Sequence, residues 1–179
     1  LTIYLTRTAQ FSGTRVLAAQ GEVKLRGEVF FDTLIVMADG PVSLRGLWQG
    51  KRLEIFSRTR IESSADMRAE AALYAQGNIR VMGEPARFLG SSVLMTYRVS
   101  SNPLAGRGQI VLGGDTEFRG WILGAGLSSP AGAKRGVSEE DFPGVWIQNR
   151  VRVYGVVFSA NELRHQGFIG GVVVANRLD

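Results

Sequence analysis

Apolar and polar residues alternate along this chain in short runs that stop at a turn residue and resume about twenty residues later. Leu17–Gly27, Val36–Gly46 and Leu73–Gly83 share one pattern: an apolar pair, a small residue, a polar residue, a turn glycine, two apolar residues in alternation and a second glycine. Ile55–Ile61 is a weaker copy. The turn positions Gly21, Gly40, Thr59 and Gly77 stand 19, 19 and 18 residues apart. Strand-type alternation at such a period, with no helix between the copies, predicts stacked coils and therefore an all-β solenoid.

Aligning the copies on their turns separates inward from outward positions, because successive side chains of a strand point to opposite faces. Val23, Val42, Ile61 and Ile79 fall in one apolar register, and Leu17, Val36, Ile55 and Leu73 in another. Both are predicted to stack inside the solenoid. Lys24, Ser43, Glu62 and Arg80 align on the outside, and Arg26 aligns with Arg45.

The pattern predicts an opening strand or first coil over 1–13, coils over 14–127, a loop excursion over 128–144 and C-terminal coils over 145–179. Regular coils run at about 14–32, 33–51, 52–70 and 71–90. A fifth, around Val93–Val99, has lost its glycines, and a sixth resumes at Ile110. Shorter copies follow at Trp121–Gly126, Val145–Gly155, Val156–Leu163 and Val172–Leu178. Counted separately, these make nine or ten irregular coils. Gly21, Gly40 and Gly77, with Asn149, Asn161 and Asn176, are read as corners, several of them with left-handed backbone, since Gly and Asn tolerate it best. The stretch Ala65–Leu73 is the one helix-like segment. Its end overlaps a coil strand, so a short helix and a strand–loop connection both remain open.

Composition adds little to the fold and something to the chemistry. The 179 residues suffice for one sizeable domain. Glycine is abundant, at 23 residues, and recurs at equivalent places in the repeat. With no cysteine and a single histidine, His165, thiolate sites and a histidine-rich metal site are excluded. There is no phosphate-binding loop, dinucleotide fingerprint, nucleophile elbow or metal motif, so no cofactor is expected. No apolar run is long enough to span a membrane. The chain opens on Leu1 and reads as a fragment or mature piece of something larger, with any anchor or export signal removed.

The net charge is +5, and only Lys24, Lys51 and Lys134 are lysines among 21 basic residues. Arginine suits phosphate forks and surface ion networks alike, and genome composition or adaptation to heat also enriches it. Lys24, Arg26, Arg45, Arg58, Arg60 and Arg80 lie at outer registers of coils about 4.8 Å apart. They form a candidate strip for tracking nucleic-acid phosphates without reading bases. The competing reading pairs them with Glu22, Asp39 and Glu62 as solvated surface charges. Trp121 and Trp146 stand in apolar strand runs, which points to burial rather than to stacking platforms. Glu139, Glu140 and Asp141 read as a solvated loop or a weak cation site.

The late copies Gly155–Leu163 and Gly171–Leu178, with Ala72–Ile79, resemble coils of the β-solenoid domains of bacterial type IV pilus-associated proteins, among them competence minor pilins. That resemblance implies a surface or periplasmic, pilus-associated module that binds DNA during uptake, with other pilins or pilus-tip proteins as partners. Bactofilins, which polymerise end to end, resemble the chain more weakly, since their coils are more regular. The expectation is a non-catalytic, sequence-independent DNA-binding module. A structural or assembly solenoid is the alternative. A polysaccharide-active β-helix enzyme needs carboxylates converging on one outer face, and Asp39 aligns with neither Asp66 nor Asp115.

Overall fold

The alternating runs fold as strands of a single continuous parallel stack. A computed structural model describes residues 3–5, 7–83, 85–97, 108–125 and 144–179. Among these residues there are twelve strands and no helix: β1 (Ile3–Leu5), β2 (Ala9–Ala19), β3 (Val23–Ala38), β4 (Val42–Ser57), β5 (Ile61–Ala75), β6 (Ile79–Val81), β7 (Ala86–Thr96), β8 (Ile110–Leu112), β9 (Thr116–Gly124), β10 (Val145–Ile147), β11 (Arg152–His165) and β12 (Phe168–Leu178). Every pairing is parallel, each coil donating to and accepting from its neighbours.

The long strands bend, so one strand serves two sides. In the second coil residues 23–26 lie on side A, 28–31 on side B and 33–38 on side C, and the third coil repeats this register. The stack has about seven turns, fewer than the nine or ten expected. The difference has a simple cause. The short copies are second strands of coils already begun: Val93 pairs with Ala72 and Trp121, and Val156 pairs with Trp121 and Val172. Those runs are side C of coils whose side A is Ile79–Val81, Ile110–Leu112 or Val145–Ile147. Ile3–Leu5 and Ala9–Ala19 together make the first coil, pairing with β3. The excursion lies outside the described residues except for Gly144, whose N–H donates to the Glu162 carbonyl at 2.8 Å.

Both expected apolar registers are continuous. Val23, Val42, Ile61 and Ile79 stack and run on through Ile110, Val145 and Leu163, all fully buried. Leu17, Val36, Ile55 and Leu73 continue through Leu94, Ile122 and Val157. Side B carries the large aromatics, with Trp48 and Phe118 fully buried and the Phe88 and Phe118 rings 5.5 Å apart. Ser57, Thr96 and Ser159 sit at the inner corner between sides C and A. Their hydroxyls donate to corner carbonyls, at 2.9, 2.7 and 3.0 Å respectively, so the buried oxygens are satisfied.

Ala65–Leu73 is strand, not helix. Ala65, Met67, Ala69, Ala71 and Leu73 alternate with Asp66, Arg68, Glu70 and Ala72, and the first set is buried. Period two with a buried face outweighs the helical propensity of alanine and glutamate.

The corner glycines also differ from expectation. None of Gly21, Gly40, Gly77, Asn149, Asn161 or Asn176 has positive φ. Arg150 adopts it beside Asn149, and the second glycine of the repeat does so at Gly27 (114°) and Gly46 (95°), where side A bends into side B. Gly40 is required for a different reason: a Cβ there would lie 2.8 Å from the carbonyl carbon of Gly21 in the coil below. Its constraint is the close stacking of coils.

Side C differs from the other two. Two of its outward columns are apolar but for Glu54: Ala18, Met37, Phe56, Tyr74, Met95, Leu123, Phe158, Val174; and Val16, Ile35, Glu54, Ala72, Val93, Trp121, Val156, Val172. A third, at the edge toward side B, is polar in the early coils, with Thr14, Thr33, Arg52 and Glu70. The outer face of this sheet is therefore apolar away from its edge toward side B, whereas the outward columns of sides A and B mix charged and apolar residues.

Candidate nucleic-acid interface

The six basic residues expected from the sequence lie on side A or at its two corners. Lys24 and Arg80 stand in its central outward column, which runs Lys24, Ser43, Glu62, Arg80, Val111, Trp146 and Arg164. Arg26 and Arg45 stack at the corner toward side B. Arg58 and Arg60 flank the opposite corner, where side C turns into side A.

Their electrostatic surroundings divide them. Lys24 pairs with Glu22 at 2.7 Å, Arg58 with Asp39 at 3.3 Å and Arg60 with Glu62 at 3.1 Å. These three behave as the solvated-surface reading expects. Arg26, Arg45 and Arg80 are exposed and form no ion pair among the described residues. A shallow groove of about 170 Å³ brings Arg45 and Arg80 together with Ser43, Ser64 and Glu62. Two guanidinium forks and two hydroxyls facing one groove supply donors for a phosphate-sized anion. Farther along side A a groove of about 280 Å³ lies between Arg60, Arg80, Asn78, Gln109, Gln148 and Trp146. The Trp146 indole Nε1 is buried without a hydrogen-bond partner.

The sequence reading missed a second set. On side B the outward column runs Gln10, Phe30, Gln49, Arg68, Arg87, Glu117, Arg152 and Phe168. Arg68, Arg87 and Arg152 are exposed and form no ion pair among the described residues. The 19-residue spacing of Gln49, Arg68 and Arg87 was the available signal. Arg68 and Arg87 occupy the two coils above Arg45, so unpaired guanidiniums step from the A–B corner onto side B over four successive coils.

Trp121 is 51% exposed, against the expectation of burial, because it faces out of side C. Trp146 is partly buried. His165 shares the inward column of Leu25, Leu44 and Ile147 but is open to solvent on the last coils. Glu139, Glu140 and Asp141 lie outside the described residues. Among those described, no three His, Asp or Glu side chains are placed to hold a metal ion.

Comparison with protein-family models, curated proteins and solved structures finds no match.

Proposed function

We propose that the chain is a non-catalytic binding module that holds a nucleic-acid backbone along the A–B corner through arginine–phosphate contacts. The observation that carries this is the stacked pair Arg26 and Arg45, exposed and without carboxylate partners. Arg80 shares Arg45's groove, and Arg68 and Arg87 continue the series. Coils repeat at about 4.8 Å, so guanidiniums on successive coils present a regular line of positive charge. Such a line meets phosphates and leaves base edges unread, which makes binding tolerant of sequence.

The setting in DNA uptake at a pilus, on the cell surface or in the periplasm, with other pilins as neighbours, is supported by the resemblance of the late coils to pilus-associated solenoids. The test is a direct binding comparison. A labelled mixed-sequence DNA duplex and a neutral polysaccharide are titrated with the protein at low and moderate salt. DNA is expected to bind at low salt and weaken steeply as salt rises, while the polysaccharide does not bind. Polysaccharide binding with no DNA binding contradicts the proposal.

A further inference from the structure

We infer that side C is an interface between two copies of this chain, packed face to face. A parallel sheet covered on both faces is built from continuous apolar runs, whereas a half-solvated sheet alternates. Side C has the first kind of sequence, in Val93–Met95, Trp121–Leu123, Val156–Phe158 and Val172–Val174. Sides A and B alternate in Val23–Arg26 and Thr116–Arg119, and on side A only the later runs Ile110–Leu112 and Val145–Ile147 are continuously apolar. The outer surface of side C is nevertheless open: Met37 is 49% exposed, Phe158 39% and Val174 50%. A continuous apolar surface of this kind marks an interaction site.

Three features select a second copy as its cover. The first is size. Eight rungs at about 4.8 Å and a sheet about five residues wide give a footprint of roughly 34 by 16 Å. That is about 550 Å² per copy before side-chain relief is counted, enough for the ~1,000 Å² total of a specific interface. The second is spacing. Another stack of the same coils repeats at the same interval, so rows of side chains interlock along the whole length. A helix, with its pitch of about 5.4 Å, drifts out of register. The third is charge. The two apolar columns hold one charged residue, Glu54, neutralised at 2.6 Å by Arg52, which stands in the polar edge column of the same face. Arg52 and Glu70 of the edge column are register partners in adjacent coils, so the face presents no block of like charge to a charged partner or an anionic headgroup. The stacked Phe56 and Tyr74 rings, 4.9 Å apart, lie near the middle of the columns, where the anchors of an isologous interface belong. Packing through side C leaves sides A and B open on both copies, so this inference holds or fails independently of the phosphate reading.

Sedimentation velocity over a dilution series tests it, with tryptophan emission read in parallel. The wild-type chain should sediment at twice the mass of one 19.5 kDa chain, dissociating on dilution with a red shift as Trp121 enters water. Met37→Arg/Phe158→Arg should sediment at the mass of one chain with unchanged β-sheet circular dichroism. Trp121→Lys serves the same purpose if the double variant loses its fold. A wild-type chain that stays monomeric throughout overturns the inference, as does a dimer that survives these substitutions. A monomer whose Trp121 emission moves only on adding neutral phospholipid vesicles also overturns it and assigns side C to a lipid surface.

Discussion

Arg45 stands directly above Arg26, each the register partner of the other in adjacent parallel strands at the corner of sides A and B. Like charges in neighbouring strands oppose each other, and no carboxylate among the described residues relieves this pair. The coils hold them because the apolar columns behind Leu25 and Leu44, both fully buried, set the register. Replacing both arginines by alanine should therefore leave stability within about 0.5 kcal/mol of wild type, or raise it slightly. Thermal unfolding at low salt measures this. A large loss of stability means that the guanidiniums hold the coils together.

Glycine requirements separate into backbone strain and coil contact. Gly13 has φ of +66° and open space around its missing Cβ, so Gly13→Ala should cost about 1–2 kcal/mol. Gly46 has φ of +95°, and its missing Cβ faces the Gly27 carbonyl oxygen in the coil below. Gly46→Ala should cost more, about 3 kcal/mol or above. Gly40→Ala should also destabilise, by about 1–3 kcal/mol, through contact with the Gly21–Glu22 peptide and without any strain in its own φ. Urea denaturation of the three variants gives the ranking. Equal losses at positions 13 and 46 remove the coil-contact argument.

Asp32 ties three coils together. Its carboxylate accepts from Lys51 Nζ at 2.7 Å and from the Gly13 backbone N–H at 2.9 Å. The Lys51 hydrogen bond is the main cause that holds the Asp32 pKa below its usual value, with the Gly13 N–H next. A depressed folded-state pKa favours the fold at pH above the ordinary carboxylate range. That contribution is lost as the pH falls through the folded value. Carboxyl NMR titration should find Asp32 below typical aspartates, and Lys51→Met should move it up. An unchanged midpoint in Lys51→Met contradicts the assigned cause.

Position along the stack should decide the penalty for emptying one column. Ile55 is fully buried between neighbouring coils, whereas Val173, in the same column, is 38% exposed on the last coil. Ile55→Ala should cost about 2–5 kcal/mol and Val173→Ala less than about 1. Denaturant unfolding distinguishes them, and similar losses mean that the last coil is covered.

The inward columns were legible because a fixed period and strict alternation leave only one face for Val42 or Ile55. Coil number was not, because a run such as Trp121–Leu123 looks the same whether it opens a coil or closes one; only pairing with Val93 and Val156 decides. Gly40 and Gly46 are the first and second glycine of one copy, yet one is fixed by the coil below and the other by its own φ as well. That distinction depends on interatomic distance, which the sequence does not carry. Alignment placed Arg26 over Arg45. The pairing of Arg58 with Asp39 and Arg60 with Glu62 depends on rotamers and corner geometry. Arg68 and Arg87 carry the same 19-residue spacing as the side A residues, but Ala65 replaces the corner glycine ahead of Arg68, so no turn glycine marks the register of side B there.

If unpaired arginines at the A–B corner hold nucleic-acid phosphates, as proposed, the salt dependence of binding reports them one by one. Fluorescence anisotropy with two unrelated DNA duplexes gives the slope of log affinity against log salt for the wild type, for Arg26→Ala/Arg45→Ala and for Arg58→Ala/Arg60→Ala. Each phosphate contact contributes about 0.9 to that slope. The account predicts equal weakening on both duplexes and a slope flatter by roughly 2 for the first variant. A much smaller change is expected for the second, whose guanidiniums are already paired with Asp39 and Glu62. No binding at low salt, or an unchanged slope in Arg26→Ala/Arg45→Ala, contradicts it.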